Sequence, residues 1–581
     1  MPSTYVSNMN TRTVITSIAL AALMLSSCSR QGGSICLADY LDETSSIDAM
    51  PAIRAALEDC AAKGAAELVL PGDTLRILPD QAFEEFQYIS NNDPSMKKIA
   101  YQLQGVKNFT IKGNGTLLLF TGHISPFNLE NCDNVTIENL TVDFTRPFVS
   151  EGVVTAAGPG YYELQFPEDY IADVVDGVLR FRDNLKEDYP FAALLEFDKD
   201  KKEVAYHVHD YWIFADAFPV EKVGENRFRF SRKDFGDATV GNRMVLGAST
   251  RNNPAITLWE CNDTKIVDVT LYNCCGMGVI AQSSRNIDVI RMDVEPTPGS
   301  DRMISISADA THFVNCKGQI NMIDCIFKNQ KDDATNVHGW YMQVDKMLAP
   351  NKVLLRWRNS GQYGIDFIKK GMHLEVADYE TVTSFARLEV KDVKTLNSLY
   401  TEVTFTEDIP AEVKQGDVMA EDDEYPDVLI SGCYIGNNRA RGLLIGSRGH
   451  VVIEKNTFHT PGTAILFEGD GRYWYEQSGV RDVIIRDNLF ENCMYGSATW
   501  GSAVIAVGSG IYDKEHSRYH SGIVVEGNTF RGFDSRIINL YCVDGFTYRN
   551  NTIETTEDYP AYGDPEKRFV FNHCDNITVE E

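Results

Sequence analysis

The chain has 581 residues, a formal net charge of −29 at pH 7, and hydrophobic and aromatic contents of 43% and 10%. A chain of this length can bury a large core and is expected to hold more than one domain. The surplus of acidic residues argues against nucleic acids and anionic surfaces as partners. It argues only weakly against an acidic polysaccharide, because a local basic groove can exist on an acidic body.

The first residues have the pattern of an export signal. Arg12 is followed by the apolar run 14–25, which is too short to span a membrane as a mature helix, and then by Leu-Ser-Ser-Cys ending at Cys28. This ending resembles a bacterial lipobox and predicts that residues 1–27 are a lipoprotein signal peptide, with the lipid on the sulfur of Cys28. The protein would then lie in the bacterial cell envelope with the lipid as its only membrane contact, on a periplasmic or an outer surface. A conventional cleaved signal with an incidental cysteine is the alternative.

The segment 28–150 is predicted to hold an N-terminal cap and the first coils of a solenoid. Residues 47–62 have apolar side chains at helical spacing and precede a strand-like stretch that begins at Glu67. This order of helix and strand resembles the start of pectin-lyase-like right-handed β-helices, in which the helix covers the first coil. Cys36 and Cys60, near this helical segment, are the best candidates for a disulfide.

Short strand-and-corner units recur along the rest of the chain, for example from Val135, Ile287 and Val451. Apolar and polar residues alternate within each unit, which is strand periodicity. Most units break at Asn or Gly, which tolerate the left-handed conformation of a tight corner. Equivalent corners predict an asparagine ladder of Asn456, Asn488, Asn528 and Asn551. Such coils bury a shared core only by stacking on one another.

Two regions lose the coil signature. Residues 151–241 and 340–423 are rich in strands joined by charged turns, and each is predicted to be a small antiparallel β domain inserted in a loop. The remaining coils are 242–339, which carry the candidate catalytic acids, and the C-terminal 424–581. The predicted fold is therefore all-β, a right-handed parallel β-helix with two inserted small antiparallel β domains.

Three acids fall on neighbouring coils. Asp309 lies in a small-residue segment, and Asp332 and Asp333 follow about one coil later. Coils stack roughly 4.8 Å apart, so carboxyls on one face, offset by a residue, can reach the roughly 6.5–9.5 Å separation of an inverting glycosidase. A solvated turn is the plain alternative for such a pair of acids. A Ca²⁺ site is another, but the ligands are too few, and no cysteine pair has zinc-ligand spacing; we expect no metal and no cofactor.

Other polar and aromatic residues are candidates for binding sugar, because an indole ring packs against the apolar face of a sugar and carboxylates bind its hydroxyls. The candidates are Arg251, Trp259, Glu260, Asn336, His338, Arg441, Glu468, Trp474 and Glu476. Plainer explanations exist for several of them. Trp259 can be a core residue, the arginines can pair with surplus surface acids, and His312 and His338 are equally well explained as structural histidines.

Around the three acids the chain resembles glycoside hydrolase family 110, the bacterial α-1,3-galactosidases that remove blood-group B galactose. The resemblance rests on Ser-Ala-Asp-Ala-Thr-His around Asp309 and on Lys-Asp-Asp-Ala-Thr-Asn-Val-His-Gly from Lys331, and it covers nearly the whole mature chain. It implies an inverting, exo-acting glycosidase in which Asp309 is the general acid and Asp332 and Asp333 activate the water. It also implies a galactosylated oligosaccharide or glycoconjugate as partner. Cleavage of linear Galα1-3Gal besides the branched trisaccharide stays open, as does assembly into a homo-oligomer.

Three other functions share parts of the pattern. Polygalacturonases have the β-helix and an Asp-Asp pair, but their Gly-His-Gly and Arg-Ile-Lys strings do not occur in this sequence. A pectate lyase would need a Ca²⁺ cluster and an arginine base. A non-catalytic adhesin would bind glycan and release no monosaccharide, so an assay for free galactose separates it from the enzyme.

Overall fold

The computed structural model describes residues 32–168, 170–213 and 219–580. The predicted signal peptide and Cys28 lie outside these ranges, so the lipid anchor stays a prediction. Within the described ranges, no helix is both long enough and apolar enough to cross a lipid bilayer. Most of the regular structure is β, as the sequence predicts.

The α-helix Met50–Lys63 packs against the first strands of the solenoid. The helix begins slightly later than the apolar spacing indicates. The side chain of Asp48 accepts a hydrogen bond from the backbone N–H of Met50 at 2.9 Å and so satisfies a donor at the first residue of the helix. It ends at Gly64, whose φ of 63° is in the left-handed region that glycine adopts without steric cost. In the described ranges, the short 3₁₀ helices are Leu37–Tyr40, Glu43–Ser46, Ser360–Gln362 and Pro565–Lys567.

Every cysteine in the described part of the chain has a free thiol. The candidate disulfide between Cys36 and Cys60 is therefore not formed. The physical reason is their placement, since Cys60 lies on the buried face of the helix and Cys36 is exposed on the first strand. Most other cysteines are buried, as expected for small residues that stack along the interior of a coil.

The solenoid has two long sheets of mainly parallel strands. In the described residues, the larger sheet consists of Ser34–Cys36, Glu67–Val69, Thr74–Ile77, Lys107–Phe120, Asp133–Phe144, Asn262–Leu271, Arg285–Ile290, Asp293–Val294, Lys317–Ile323, Ile326–Lys328, Asp427–Ser431, Tyr434–Gly436, His450–Glu454, Thr457–His459, Asp482–Arg486, Leu489–Glu491, His520–Glu526, Thr529–Gly532, Val543–Arg549, Thr552–Thr555 and Asp575–Val579. Its alternate residues point into the shared core, as in the strand Asp133–Phe144, where Val135, Ile137 and Val142 are fully buried.

The candidate catalytic acids lie just before two neighbouring strands of the second sheet of the solenoid. Its strands in the described residues are Phe83–Gln87, Ser95–Gln104, Ser125–Glu130, Ile256–Trp259, Val279–Gln282, Thr311–Val314, Thr335–Trp340, Leu443–Ile445, Ile465–Phe467, Glu476–Gln477, Ile505–Val507, Ile538–Tyr541 and Phe569–Asn572. The register is continuous from coil to coil, so that Trp259 pairs with Gln282, Gln282 with Val314, and Val314 with His338. Residues one coil apart are therefore neighbours in space.

The predicted asparagine ladder is confirmed. The backbone N–H and the side-chain amide of Asn456 both donate to Oδ1 of Asn488, at 2.9 and 3.0 Å. Asn488 donates in the same way to Asn528, and Asn528 to Asn551. Each asparagine thus satisfies buried backbone and side-chain groups of the next coil, which holds the corners in register.

Two antiparallel units interrupt the solenoid. The first insert is a sheet of Ser150–Gly158, Tyr161–Gln165, Phe191–Asp198, Glu203–Val204, Tyr211–Trp212, Val220–Gly224, Arg227–Ser231 and Arg243–Ala248, together with the hairpin of Ile171–Val175 and Val178–Arg182. The second insert is a closed barrel of Met342–Ala349, Lys352–Arg356, His373–Ala377, Ser384–Thr395, Tyr400–Phe405 and Val418–Glu421. The predicted architecture of a β-helix with two antiparallel inserts is confirmed, and the exact domain boundaries stay predictions.

Candidate active site

Three carboxyl groups meet where two successive coils enter the same sheet. Asp309 precedes the strand Thr311–Val314, and Asp332 and Asp333 precede the strand Thr335–Trp340. The two strands pair in parallel, and the backbone N–H of Asp333 donates to Oδ1 of Asp309 at 3.3 Å. One oxygen of each carboxyl lies within 4.8 Å of the others. We call these three residues the acid cluster.

Arginines approach Asp332 from two directions. Arg251 donates from Nη2 to Oδ2 of Asp332, and Nη1 of Arg439 lies 3.7 Å from Oδ1. Arg439 also pairs with Asp210 of the first insert at 2.6 Å. The insert thus positions one of the guanidinium groups that face the acid cluster.

A third arginine holds Asp333. Arg441 donates from Nε and Nη2 to the two oxygens of Asp333, at 3.1 and 2.9 Å. Its Nη1 donates to Oε2 of Glu468 at 3.4 Å. Burial raises the pKa of Glu468 to about 7, although Arg441 acts in the opposite direction. Bidentate pairing of this kind fixes a carboxyl group in orientation as well as in position.

Asp309 is the member of the acid cluster that no described arginine contacts directly. Burial, followed by the charge of Asp332, raises the pKa of Asp309 to about 7. Arg251 and Arg441 oppose this rise from a greater distance. A carboxylic acid that keeps its proton near neutrality is suited to donate it to a leaving group.

The other two acids differ from each other in protonation. Burial alone would raise the pKa of Asp332, but Arg251, Arg439 and Arg441 together lower it below its usual value. Burial raises the pKa of Asp333 to about 8, even with Arg441 bound. The cluster therefore shares protons among its members, and Asp332 is the acid that ionises first.

Two buried histidines form a series of close contacts that begins at Asp309. Nδ1 of His312 lies 2.6 Å from Oδ2 of Asp309, and its Nε2 lies 2.9 Å from Nε2 of His338. Nδ1 of His338 in turn lies 2.8 Å from the carbonyl oxygen of Gly339. Burial lowers the pKa of His312 to about 4 and also lowers that of His338. Both rings are accordingly neutral at neutral pH.

Two cavities are lined by the arginines that pair with the acid cluster. The first, of about 480 Å³, is lined by residues that include Trp212, Arg251, Ser307, Lys331 and Arg439. The second, of about 440 Å³, is lined by residues that include Arg439, Arg441, Leu466, Glu468 and Trp500. Arg439 lines both cavities, Arg251 lines the first and Arg441 lines the second. The arginines that pair with the acid cluster therefore connect it to two spaces.

Six of the predicted sugar-binding residues lie at or close to the acid cluster. Arg251, Arg441 and Glu468 form ion pairs in it and line the cavities. Asn336 is next to His312 in the register of paired strands. His338 and Glu476 lie behind the cluster, with Nε2 of the histidine 3.6 Å from Oε1 of the glutamate. His338 therefore faces His312 rather than an open cavity.

The structure does not bring the remaining three to the acid cluster. Trp259 lines a separate cavity of about 200 Å³, and its ring lies 6.5 Å from that of Trp340. Glu260 forms an ion pair with Lys369 of the second insert. Trp474 is 42% exposed and is absent from the lining of both cavities beside the acid cluster.

Two residues of the site, Asp210 and Lys331, were not among the sequence candidates, whereas Arg439 stands beside the candidate Arg441 in the sequence. Arg439 and Asp210 form an ion pair that joins the solenoid to the first insert. Lys331 is buried beside Asp332, and its Nζ has no hydrogen-bond partner in the described structure. Burial lowers the pKa of Lys331 to about 8. Its place directly before the acid pair was the available signal, whereas nothing in the sequence signals Asp210.

Three acids this close are also a donor set that a hard cation could use. Arginines already balance the negative charge of the acids, since Arg251 contacts Asp332 and Arg441 donates to both oxygens of Asp333. A cation would have to displace these guanidinium groups. We therefore assign the balance of charge to the arginines.

Comparisons with known proteins agree with this architecture. Residues 150–243 match the model of GLAA-B beta-barrel domain I, and residues 352–419 match that of GLAA-B beta-barrel domain II. Residues 418–580 match the model of a right handed beta helix region, which confirms the predicted handedness. Among solved structures, the family 28 exopolygalacturonase of Yersinia enterocolitica covers 95% of this chain and 80% of its own, at 11% identity and a TM-score of 0.37. That score is too low to support a conclusion.

Curated relatives align over most of their length. Alpha-1,3-galactosidase A of Shewanella woodyi is 32% identical, over 88% of this chain and 84% of the relative. Alpha-1,3-galactosidase A of Bacteroides fragilis is 31% identical, over 91% and 88%. Alpha-1,3-galactosidase B of Bacteroides thetaiotaomicron is 28% identical, over 94% and 90%. The chain therefore belongs to the alpha-1,3-galactosidase A and B family of glycosidases.

Proposed function

We propose that this protein hydrolyses terminal α-1,3-linked galactose from blood-group B type glycans as an exo-acting, inverting enzyme. Relatives over nearly the full length are named alpha-1,3-galactosidases. The observation that carries the proposal is the acid cluster with its three guanidinium groups, which line two cavities of about 480 and 440 Å³. Such a site provides both a proton donor and a base for cleaving a glycosidic bond.

The three acids receive separate roles in this proposal. Asp309 donates its proton to the glycosidic oxygen as the bond to the anomeric carbon breaks. Asp332, the acid with the lowered pKa, takes a proton from the water whose oxygen attacks that carbon. Asp333, held by Arg441 at both oxygens, orients the water. One water adds across the bond, and the products are free galactose and the acceptor sugar with its hydroxyl restored.

The separation of the acids bears on the inverting mechanism. One oxygen of each carboxyl lies within 4.8 Å of the others, which is shorter than the roughly 6.5–9.5 Å that we expected for an acid and a base. One water with hydrogen bonds of about 2.7 Å can bridge two oxygens at this distance. The same spacing is close to the roughly 5–5.5 Å of a retaining site, so inversion is proposed from the family resemblance alone.

The test is incubation with the blood-group B trisaccharide, linear Galα1-3Gal and p-nitrophenyl α-galactoside. We expect free galactose from the trisaccharide, and proton NMR of the fresh reaction should show the β-anomer first. An initial α-anomer would refute inversion. Binding without release of galactose would indicate an adhesin, and an unsaturated, calcium-dependent product would indicate a lyase. The linear disaccharide decides how broad the substrate range is.

We also propose that the mature protein is anchored to the bacterial envelope through a lipid on Cys28. The support is the sequence Leu-Ser-Ser-Cys after an apolar run. Metabolic labelling with radioactive palmitate should place the label in the membrane fraction of cells that express the full chain. The Cys28→Ala variant should lose the label, and a labelled variant would refute this anchor.

A further inference from the structure

The hydrogen-bonding capacity of the two buried histidines determines where one proton lies. A neutral imidazole has one N–H donor and one acceptor nitrogen. The carbonyl oxygen of Gly339 can only accept, and it lies 2.8 Å from Nδ1 of His338. Nδ1 of His338 must therefore carry that ring's proton, which leaves its Nε2 as an acceptor.

The same reasoning continues to the next ring. Nε2 of His312 lies 2.9 Å from the acceptor Nε2 of His338, so it must be the donor. Nδ1 of His312 is then an acceptor, and it lies 2.6 Å from Oδ2 of Asp309. Two acceptors at this distance repel each other unless a proton lies between them. The carboxyl of Asp309 must supply it.

We propose that His312 and His338 are positioning residues that keep a proton on Oδ2 of Asp309 in the free enzyme. This inference rests on the proposed function, because it explains how the general acid is kept loaded. We use the name histidine chain for the series of groups that runs from Asp309 through His312 and His338 to the carbonyl of Gly339. An acceptor facing the carboxyl favours its protonated form, whereas an N–H would favour the carboxylate.

The charged groups around the histidine chain define the competing arrangement. Oε1 of Glu476 lies 3.6 Å from Nε2 of His338, and the charges of Arg251 and Asp332 also act on His312. If His338 carried two protons opposite Glu476, the direction of the chain would reverse. His312 would then donate from Nδ1 to an ionised Asp309. Burial opposes this state, because it disfavours the charged imidazole.

Delivery of the proton needs one small movement. When a glycosidic oxygen enters the site, the O–H bond of Asp309 rotates from Nδ1 of His312 towards that oxygen. As the glycosidic bond breaks, the proton passes to the leaving oxygen, and the carboxylate then faces an unprotonated nitrogen. This unfavourable contact favours reprotonation of Asp309 from solvent, which is balanced by release to solvent of the proton that Asp332 took from the attacking water.

The direct test is the tautomeric state of the two rings in the full chain without substrate. Histidine labelled with ¹⁵N reports which nitrogen is protonated, and the signals are assigned by loss in the His312 and His338 variants. We expect a proton on Nε2 of His312 and on Nδ1 of His338 at pH 6–7. Asp309 is still largely protonated there, because its pKa is raised to about 7. A proton on Nδ1 of His312 overturns the inference. Because no substrate is present, this result is independent of whether the protein cleaves galactosides.

A kinetic test uses paired variants at one position. In His338→Phe, His312 loses its acceptor partner and is free to donate from Nδ1, so the pKa of Asp309 should fall. The basic limb of the kcat/KM profile should then move to lower pH by about one unit, a tenfold loss at a fixed pH on that limb. His338→Gln, whose amide oxygen can accept, should restore much of the profile. A shift towards higher pH, or no shift, contradicts the inference.

A matched control separates this effect from loss of packing. His520 is also fully buried in the solenoid, but its Nε2 lies 3.0 Å from Oγ of Ser509, its ring packs beside Tyr519, and in the described residues it does not contact the acid cluster. His520→Phe should lower the melting temperature and leave the pH of the basic limb unchanged. An equal displacement of the limb in this variant would show that the effect is structural, and it would overturn the inference.

Discussion

Replacing Asp309 by Asn tests the role of the general acid with the least disturbance of the fold. The two side chains have nearly the same shape, and Asp309 is 3% exposed, so the packing is preserved. The amide can donate to Nδ1 of His312, which lies 2.6 Å from Oδ2 in the wild type. The amide cannot give a proton to a leaving oxygen. We therefore expect a chemical defect without a large loss of stability.

The size of the defect follows from the role. General acid catalysis contributes about a hundred- to ten-thousand-fold to a rate, which corresponds to about 2.7–5.4 kcal/mol of activation free energy. With the blood-group B trisaccharide, Asp309→Asn should lose kcat by this amount. With p-nitrophenyl α-galactoside the loss should be much smaller, because this leaving oxygen needs no proton. The ratio of the two losses is the diagnostic quantity.

The pH dependence gives a second measurement on the same variant. The pKa of Asp309 is raised to about 7, and a general acid acts only while it is protonated. Wild-type kcat/KM on the trisaccharide should therefore fall as the pH rises through about 7, and the variant should lack this limb. Full activity of Asp309→Asn on the trisaccharide would refute the assignment. Equal losses on both substrates would show that Asp309 has another role.

Three further changes have expected outcomes. Arg441→Lys should lower kcat/KM by about tenfold or more, because a lysine cannot make the bidentate contact with Asp333. Steady-state kinetics measures this loss, and an unchanged kcat/KM would contradict the role of the guanidinium. Asn488→Ala should cost about 1–3 kcal/mol of unfolding free energy, because it leaves buried donors of the ladder unsatisfied. Asn551→Ala, at the less buried end of the ladder, should cost less. Chemical denaturation compares the two variants, and a larger loss for Asn551→Ala would refute the ladder's energetic role. Trp259→Phe should leave kcat/KM on the trisaccharide within about twofold, because the indole lies at a separate cavity; a tenfold loss would show that this cavity takes part in binding.

Much of the fold can be derived from the sequence, because a solenoid places neighbours in space one coil apart along the chain. The strand-and-corner units predict the parallel coils, and the ladder follows from the recurrence of asparagine at equivalent corners. The proximity of Asp309 to Asp332 and Asp333 follows from the same principle. The strands that follow them pair in register from Thr311 with Thr335, so the interval in the sequence becomes a distance of one coil.

Neighbourhood in the sequence misleads where the chain runs along a strand. Trp259 and Glu260 are close to Arg251 in the sequence, but a strand advances about 3.3 Å per residue and carries them away from the acid cluster. Trp474 shares a loop with Glu468, yet the turn held by Asp470, which accepts backbone N–H bonds from Tyr473 at 2.6 Å and from Trp474 at 3.1 Å, leaves the indole half-exposed. Residues near a site in the sequence thus need not line it.

The partners that tune the acids depend on tertiary structure alone. Asp210 contacts Arg439 across 229 residues, because the first insert forms its own sheet beside the solenoid. No local pattern encodes that placement. The location of the proton on Asp309 likewise depends on how two imidazole rings and one carbonyl oxygen face each other. The repeated coils can therefore be derived from periodicity, whereas the charges and protons of the site depend on long-range contacts that only the folded chain creates.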